Sequence, residues 1–99
     1  MTDWISLSHS AAQAARAFAS RARAHAAGVV APQGRLDNAL ADREQRLVHG
    51  VAWIATVAEA LVATADWASR AGAQSRFSEV ESLTLRIGFG EYLAQLLGG

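Results

Sequence analysis

The stretch that decides the fold is LADREQRLVHGVAWIATVAEALVATADWA, residues 40–68. Within it Leu40, Glu44, Leu47, Val51, Ile54, Ala58, Leu61, Ala65 and Ala68 recur in alternating steps of four and three. That spacing lines up one face of an α-helix, because residues three and four apart sit above one another. Glu44 is the one polar member. A second stripe, Trp53, Val57, Ala60, Thr64 and Trp67, lies beside the first. Together they make a wide apolar face, the mark of a helix packed by more than one neighbour. The pattern predicts one long helix over about 37–71, with Asp37 or Asn38 accepting from its first unpaired N–H groups. Asp42–Arg46 and Asp66–Arg70 are i,i+4 pairs in the favourable order, each contributing roughly 0.2–0.5 kcal/mol. Gly50 falls inside this helix at a cost of about 1 kcal/mol relative to alanine. It marks a candidate kink or close helix crossing.

Upstream, Leu7, Ala11, Ala14, Phe18, Ala22 and His25 form a thinner stripe, with Gln13, Arg16, Ser20 and Arg23 opposite. This predicts an amphipathic helix over about 4–27. Asp3, Ser8 and Ser10 are possible N-caps, and Gly28 is a natural terminating residue. Residues 29–34 form the loop, where Pro32 restricts Ala31 to extended conformations. Downstream, Ser78-Glu79-Val80-Glu81 fits a capping box opening a third helix over about 78–97. Val80, Leu83, Ile87, Leu93 or Ala94, and Leu97 form one stripe of that helix. Leu85, Phe89, Tyr92 and Leu96 form another on a different face. A helix apolar on several sides is usually buried on several sides. Gly88 and Gly90, flanking Phe89, suggest a closely packed neighbour. The expected fold is all-α: three helices in an up-down arrangement, the middle one long, forming a single module over 1–99.

Composition narrows the chemistry. The chain has 99 residues, nine arginines, no lysine and nine acids, so its formal charge is zero. Nucleic-acid binding normally shows a basic excess, absent here. There is no cysteine, which removes disulfides, thiolate zinc sites and thiol nucleophiles. Without lysine there is no Schiff-base chemistry. Alanine accounts for 23 residues, so much of the nominal apolar content buries little area. The arginine-rich N-terminal segment reads as a surface helix rather than a transit peptide, and arginines break any secretory h-region. The apolar window 51–65 is too short to span a bilayer and contains Glu59. A cytoplasmic protein with no transmembrane segment is expected.

No catalytic, cofactor or metal site is expected. His9, His25 and His49 lack the Glu-x-x-His or His-x-x-x-His spacing of bundle metal sites. His49 and Trp53, four apart, are expected to stack or share a hydrogen bond. Glu44 and Glu59 lie in apolar surroundings but are expected to reach solvent or an arginine of a neighbouring helix. Ser78 reads as a cap. The Gly98-Gly99 tail has no β-grasp domain before it.

The helix lengths do not match, however. Short connections make successive helices antiparallel neighbours. The first would then cover the first half of the long helix and the third its second half, leaving apolar surface wet. The expected solution is packing against a second copy or further polypeptide. Leu47, Val51, Ile54, Leu61, Trp53, Trp67, Ile87, Phe89, Tyr92 and Leu96 are the interface candidates.

Two runs carry a family resemblance. The first is Leu36-Asp37, Asp42-Arg43-Glu44-Gln45, His49-Gly50-Val51-Ala52-Trp53-Ile54-Ala55-Thr56, Glu59-Ala60-Leu61 and Trp67-Ala68. The second is Arg76-Phe77-Ser78-Glu79-Val80-Glu81 with Ile87-Gly88-Phe89-Gly90-Glu91-Tyr92-Leu93-Ala94-Gln95-Leu96 and Gly98-Gly99. Over about 36–99 these resemble an N-terminal helical segment of bacterial acyl-CoA dehydrogenases of the (2S)-methylsuccinyl-CoA dehydrogenase type; the first helix matches only in its alanine content. The resemblance implies a flavoprotein family that binds FAD and oxidises an acyl-CoA thioester at Cα–Cβ. None of that machinery maps onto these residues, so this chain alone is expected to be non-catalytic and to hold no cofactor. It implies instead a packing element whose partner is the catalytic body of such an enzyme, with the chain ending inside a longer pattern. The alternative is a free-standing helical bundle that homodimerises through the 40–68 seam.

Overall fold

The computed structural model describes residues 2–98; Gly99, half of the terminal glycine pair, lies outside them. Among the described residues there are four helices and no strand: α1 (Trp4–Val30), α2 (Asn38–Arg43), α3 (Gln45–Ala73) and α4 (Glu79–Gly98). The all-α fold with a long middle helix is as the periodicity predicts. The boundaries differ in three places, each for a local reason.

First, α1 does not stop at Gly28 but runs to Val30. Nothing stands within 4 Å of where a Cβ would sit at Gly28, and the helix passes through it. The stop comes from Pro32, which forces Ala31 out of the helical region (φ −135, ψ 55). At the other end Asp3 is the cap, its carboxylate accepting from the Ser6 N–H at 3.1 Å and the Ser6 hydroxyl at 2.8 Å. Second, the long helix is broken at Glu44 (φ −105, ψ 37) rather than kinked at Gly50. The break sets α2, capped by Asp37, against the end of α1, where Val30 is buried. It also takes Asp42 and Arg46 out of one helical register. Neither predicted i,i+4 ion pair forms; among the described residues the pairs are Arg16–Glu59 and Arg86–Glu79. Third, α3 continues through Gly72 to Ala73 and ends in a Schellman arrangement. Ser75 N–H donates to Gly72 C=O and Arg76 N–H to Ala71 C=O, with Ser75 itself left-handed at φ 58.

With α2 split off, α1 and α3 match in length, 27 and 29 residues. They lie antiparallel along their whole lengths. Ile5 touches the Gly72 end, where a Cβ would stand 2.9 Å from its Cδ1; His9 meets Ser69 at 2.6 Å; Arg16 meets Glu59 at 2.9 Å. The expectation that the first helix covers only the front half of the long one is therefore corrected. α4 opens on the Ser78–Glu81 box, where the Glu81 carboxylate accepts from the Ser78 N–H at 2.9 Å and from its hydroxyl. It returns along the second half of α3 and beside the first half of α1.

The core is where the three helices meet. Ala58, Leu61, Ala65 and Ala68 of the seam are buried with Val57, Ala12, Ala15, Ala19, Leu85 and Phe89. Leu61 and Leu85 are the largest side chains fully removed from water. Most of the core is alanine, so the helices approach closely and each contact buries little area. The molecule is elongated, 52 × 24 × 18 Å.

α3 is long and apolar enough to cross a membrane by length and composition alone, which corrects the argument from the 51–65 window. Core helices packed inside a protein share that length and composition. Here α1 lies along α3, and the Arg16–Glu59 ion pair bridges their middles.

Candidate docking surfaces

Two features bring polar side chains of different parts of the chain together. His9 Nε2 and Ser69 Oγ share a short, part-buried hydrogen bond between α1 and α3, a pairing 60 residues apart that no spacing rule reveals. Arg86 lies over the Trp4 ring, 4.7 Å from its centroid, and donates from Nε to Ser82 C=O. Among the described residues no three His, Asp or Glu gather as metal ligands. Glu59 reaches solvent with Arg16, and that hydrogen bond holds its carboxyl below the usual carboxylate range. The residues do not fit a flavin dinucleotide. The larger crevice beside Arg86, about 520 Å³, also presents Asp3 and Glu79, which would repel a pyrophosphate.

What the surface does offer is apolar area. Along the junction of α1 and α4 lies a trough of two crevices. One, of about 250 Å³, has walls of Trp4, Leu7, Ala11, Leu85 and Phe89 with Arg86 at its lip. The next, of about 400 Å³, runs on past Ala14 and Phe18 to Leu96 and Leu97. Leu7 and Phe18 are 52% and 37% exposed beside it. A second apolar strip, meeting the trough at Leu97, occupies the outer face of α4, where Val80, Leu83, Ile87 and Leu97 stand in water.

The interface candidates read from sequence divide three ways. Leu61 and Phe89 belong to the core. Ile54, Trp67 and Leu96 are half-buried against it, and Leu47 and Val51 are half-buried further along α3. Trp53, Ile87 and Tyr92 are exposed. The 58–68 part of the seam is thus already occupied inside the chain. Leu7, Phe18, Val80, Leu83 and Leu97 were not among the candidates, although all five belong to stripes visible in the sequence. At Gly88 and Gly90 the space a Cβ would take is open to 4 Å, so among the described residues no close neighbour accounts for them.

Over 97 residues, 98% of its length, the chain is 36% identical to (2S)-methylsuccinyl-CoA dehydrogenase of Cereibacter sphaeroides. The resemblance to that acyl-CoA dehydrogenase holds. It includes α1, which the sequence motifs alone did not match. The chain spans only 18% of the length of that enzyme. No family model and no solved structure matches the chain.

Proposed function

We propose that this chain is a non-catalytic helical packing module that seats against the catalytic body of a flavin-dependent acyl-CoA dehydrogenase in the cytoplasm. The observation that carries this reading is the similarity of nearly the whole chain to less than a fifth of a (2S)-methylsuccinyl-CoA dehydrogenase. The α1–α4 trough is the docking face. It is apolar along its length, flanked by exposed Leu7 and Phe18, and larger than the isolated apolar side chains that any surface tolerates. FAD and the thioester belong to the body.

The test is a chimera in which this chain replaces the matching segment of the Cereibacter enzyme. The expected outcome is soluble assembly with retained thioester oxidation, lost when Leu7→Asp and Phe18→Asp are introduced together. A chimera that fails to assemble overturns the docking. Bound FAD in the purified chain, or reduction of an electron acceptor with methylsuccinyl-CoA, overturns its non-catalytic character.

A further inference from the structure

The outer face of α4 shares only Leu97 with the trough and carries a pattern of its own. Val80, Leu83, Ile87, Gly90, Ala94 and Leu97 follow steps of three and four without a break, the heptad spacing of a coiled-coil seam. All six are exposed, with Ile87 at 70% and Leu97 at 90%. The side of α4 that faces the core uses other residues: Ser82, Leu85 and Phe89. The helix therefore has two apolar faces, and only one is covered.

The sizes along this seam are not random. Large side chains fill its first half and small ones most of its second. Turning the seam end over end about the point between Gly88 and Phe89 brings Ile87 opposite Gly90, Leu83 opposite Ala94 and Val80 opposite Leu97. Each layer then joins a knob to a hole, or a medium residue to a large one. A parallel pairing would instead leave Gly90 facing Gly90, a layer with no side chain to fill it. Flanking the seam, the turned copy sets Glu91 across from Thr84, so no two carboxylates meet there. The arrangement also gives Gly90 a reason. An exposed glycine inside a helix, with open space where a Cβ would be, costs stability without return in a lone chain. It is useful if the isoleucine of another helix packs onto it.

We propose that the outer seam of α4 is a self-association surface, on which α4 of a second copy lies antiparallel about a two-fold axis between Gly88 and Phe89. Such an interface is isologous and closes at two copies. The seam complements itself in size, which commits the face to this occupant.

The intact chain tests this directly. Sedimentation at micromolar concentration is expected to give a particle of twice 10.4 kDa. Ile87→Glu is expected to reduce it to the single-chain mass while the helical circular dichroism stays unchanged, since the added charge remains in water. The register has its own test, because the chain has no cysteine. Leu83→Cys chains mixed with Ala94→Cys chains should cross-link on mild oxidation, and neither variant should cross-link alone. A single-chain particle at every concentration overturns the proposal. So does a dimer indifferent to Ile87→Glu, or self-cross-linking of Leu83→Cys by itself, which would mean parallel helices.

Discussion

Replacing Leu61 by alanine is the most direct probe of how this core holds together. Leu61 is 2% exposed and sits where α1, α3 and α4 converge. The substitution removes three carbons, a transfer loss of about 2.4 kcal/mol at about 0.8 kcal/mol per methylene. The cavity left behind adds about 24 cal/mol per Å³ that fails to collapse. Collapse is poor here for a specific reason: Ala12, Ala15, Ala58 and Ala65 share the core and have no rotamer that could swing inward. The expected loss is therefore in the upper part of the Leu→Ala range, about 3.5–5 kcal/mol. A domain of this length holds roughly 5–15 kcal/mol in all, so the variant should be close to unfolding at room temperature. Urea titration followed by circular dichroism measures it, with Ile87→Ala, 70% exposed, as the control expected to change by under about 0.5 kcal/mol. A loss below about 1.5 kcal/mol for Leu61→Ala would refute the argument that an alanine core cannot heal.

Two backbone substitutions should stabilise the chain by about 0.5–1 kcal/mol each in the same titration. Gly50→Ala places a methyl in open space within a continuous helix, and Ser75→Gly relieves the left-handed residue that ends α3. Stability should also fall in acid. Asp3, Glu59 and Glu81 all have folded-state values below their ordinary ones, through hydrogen bonds from Ser6, Arg16 and Ser78 respectively. Each contributes stability that is fully present above its unfolded value and is lost as pH falls through the lower folded value. A thermal-melting profile should be level near neutrality and decline below about pH 4.5, with a shallower decline in Glu59→Gln; an equally steep decline in that variant would remove Glu59 from the account.

The helical fold was legible because period is a local property. Leu47, Val51, Ile54, Ala58 and Leu61 fall on one face whatever the rest of the chain does. The break at Glu44 was not legible for the same reason: Leu40 keeps the right spacing to Leu47 whether or not the helix is continuous between them. Gly28 misled because glycine only permits a helix to end. Pro32 compels it, and the helix ran on until it had to stop. The apolar character of α4 was visible, but not which stripe faces inward. That choice was made by Trp4, Ile5 and Phe89 packing at the α1 end, over sequence distances that no window spans. The His9–Ser69 bond belongs to the same class. It exists because α1 and α3 are antiparallel with their ends in register, a consequence of α2 breaking away.

That break also bears on why the module has unpaired surfaces at all. A continuous helix from 37 to 71 would leave α1 and α4 dividing it between them, each covering one half. With the chain bent at Glu44, α1 spends its whole length on α3, and α4 becomes a third helix laid into one end of a finished pair. A helix added to a pair needs only one apolar face for its own core, and here Ser82, Leu85, Phe89, Leu93 and Leu96 supply it. Val80, Leu83, Ile87 and Leu97 then have no work inside the chain, yet remain apolar at 44–90% exposure. Leu7 and Phe18, at the rim of the trough, are likewise outside what the three-helix core requires. The trough and the outer face of α4 are apolar surfaces of different shape, one a groove and one a ridge of knobs and gaps. The two surfaces meet at Leu97, and α4 is the element that joins them.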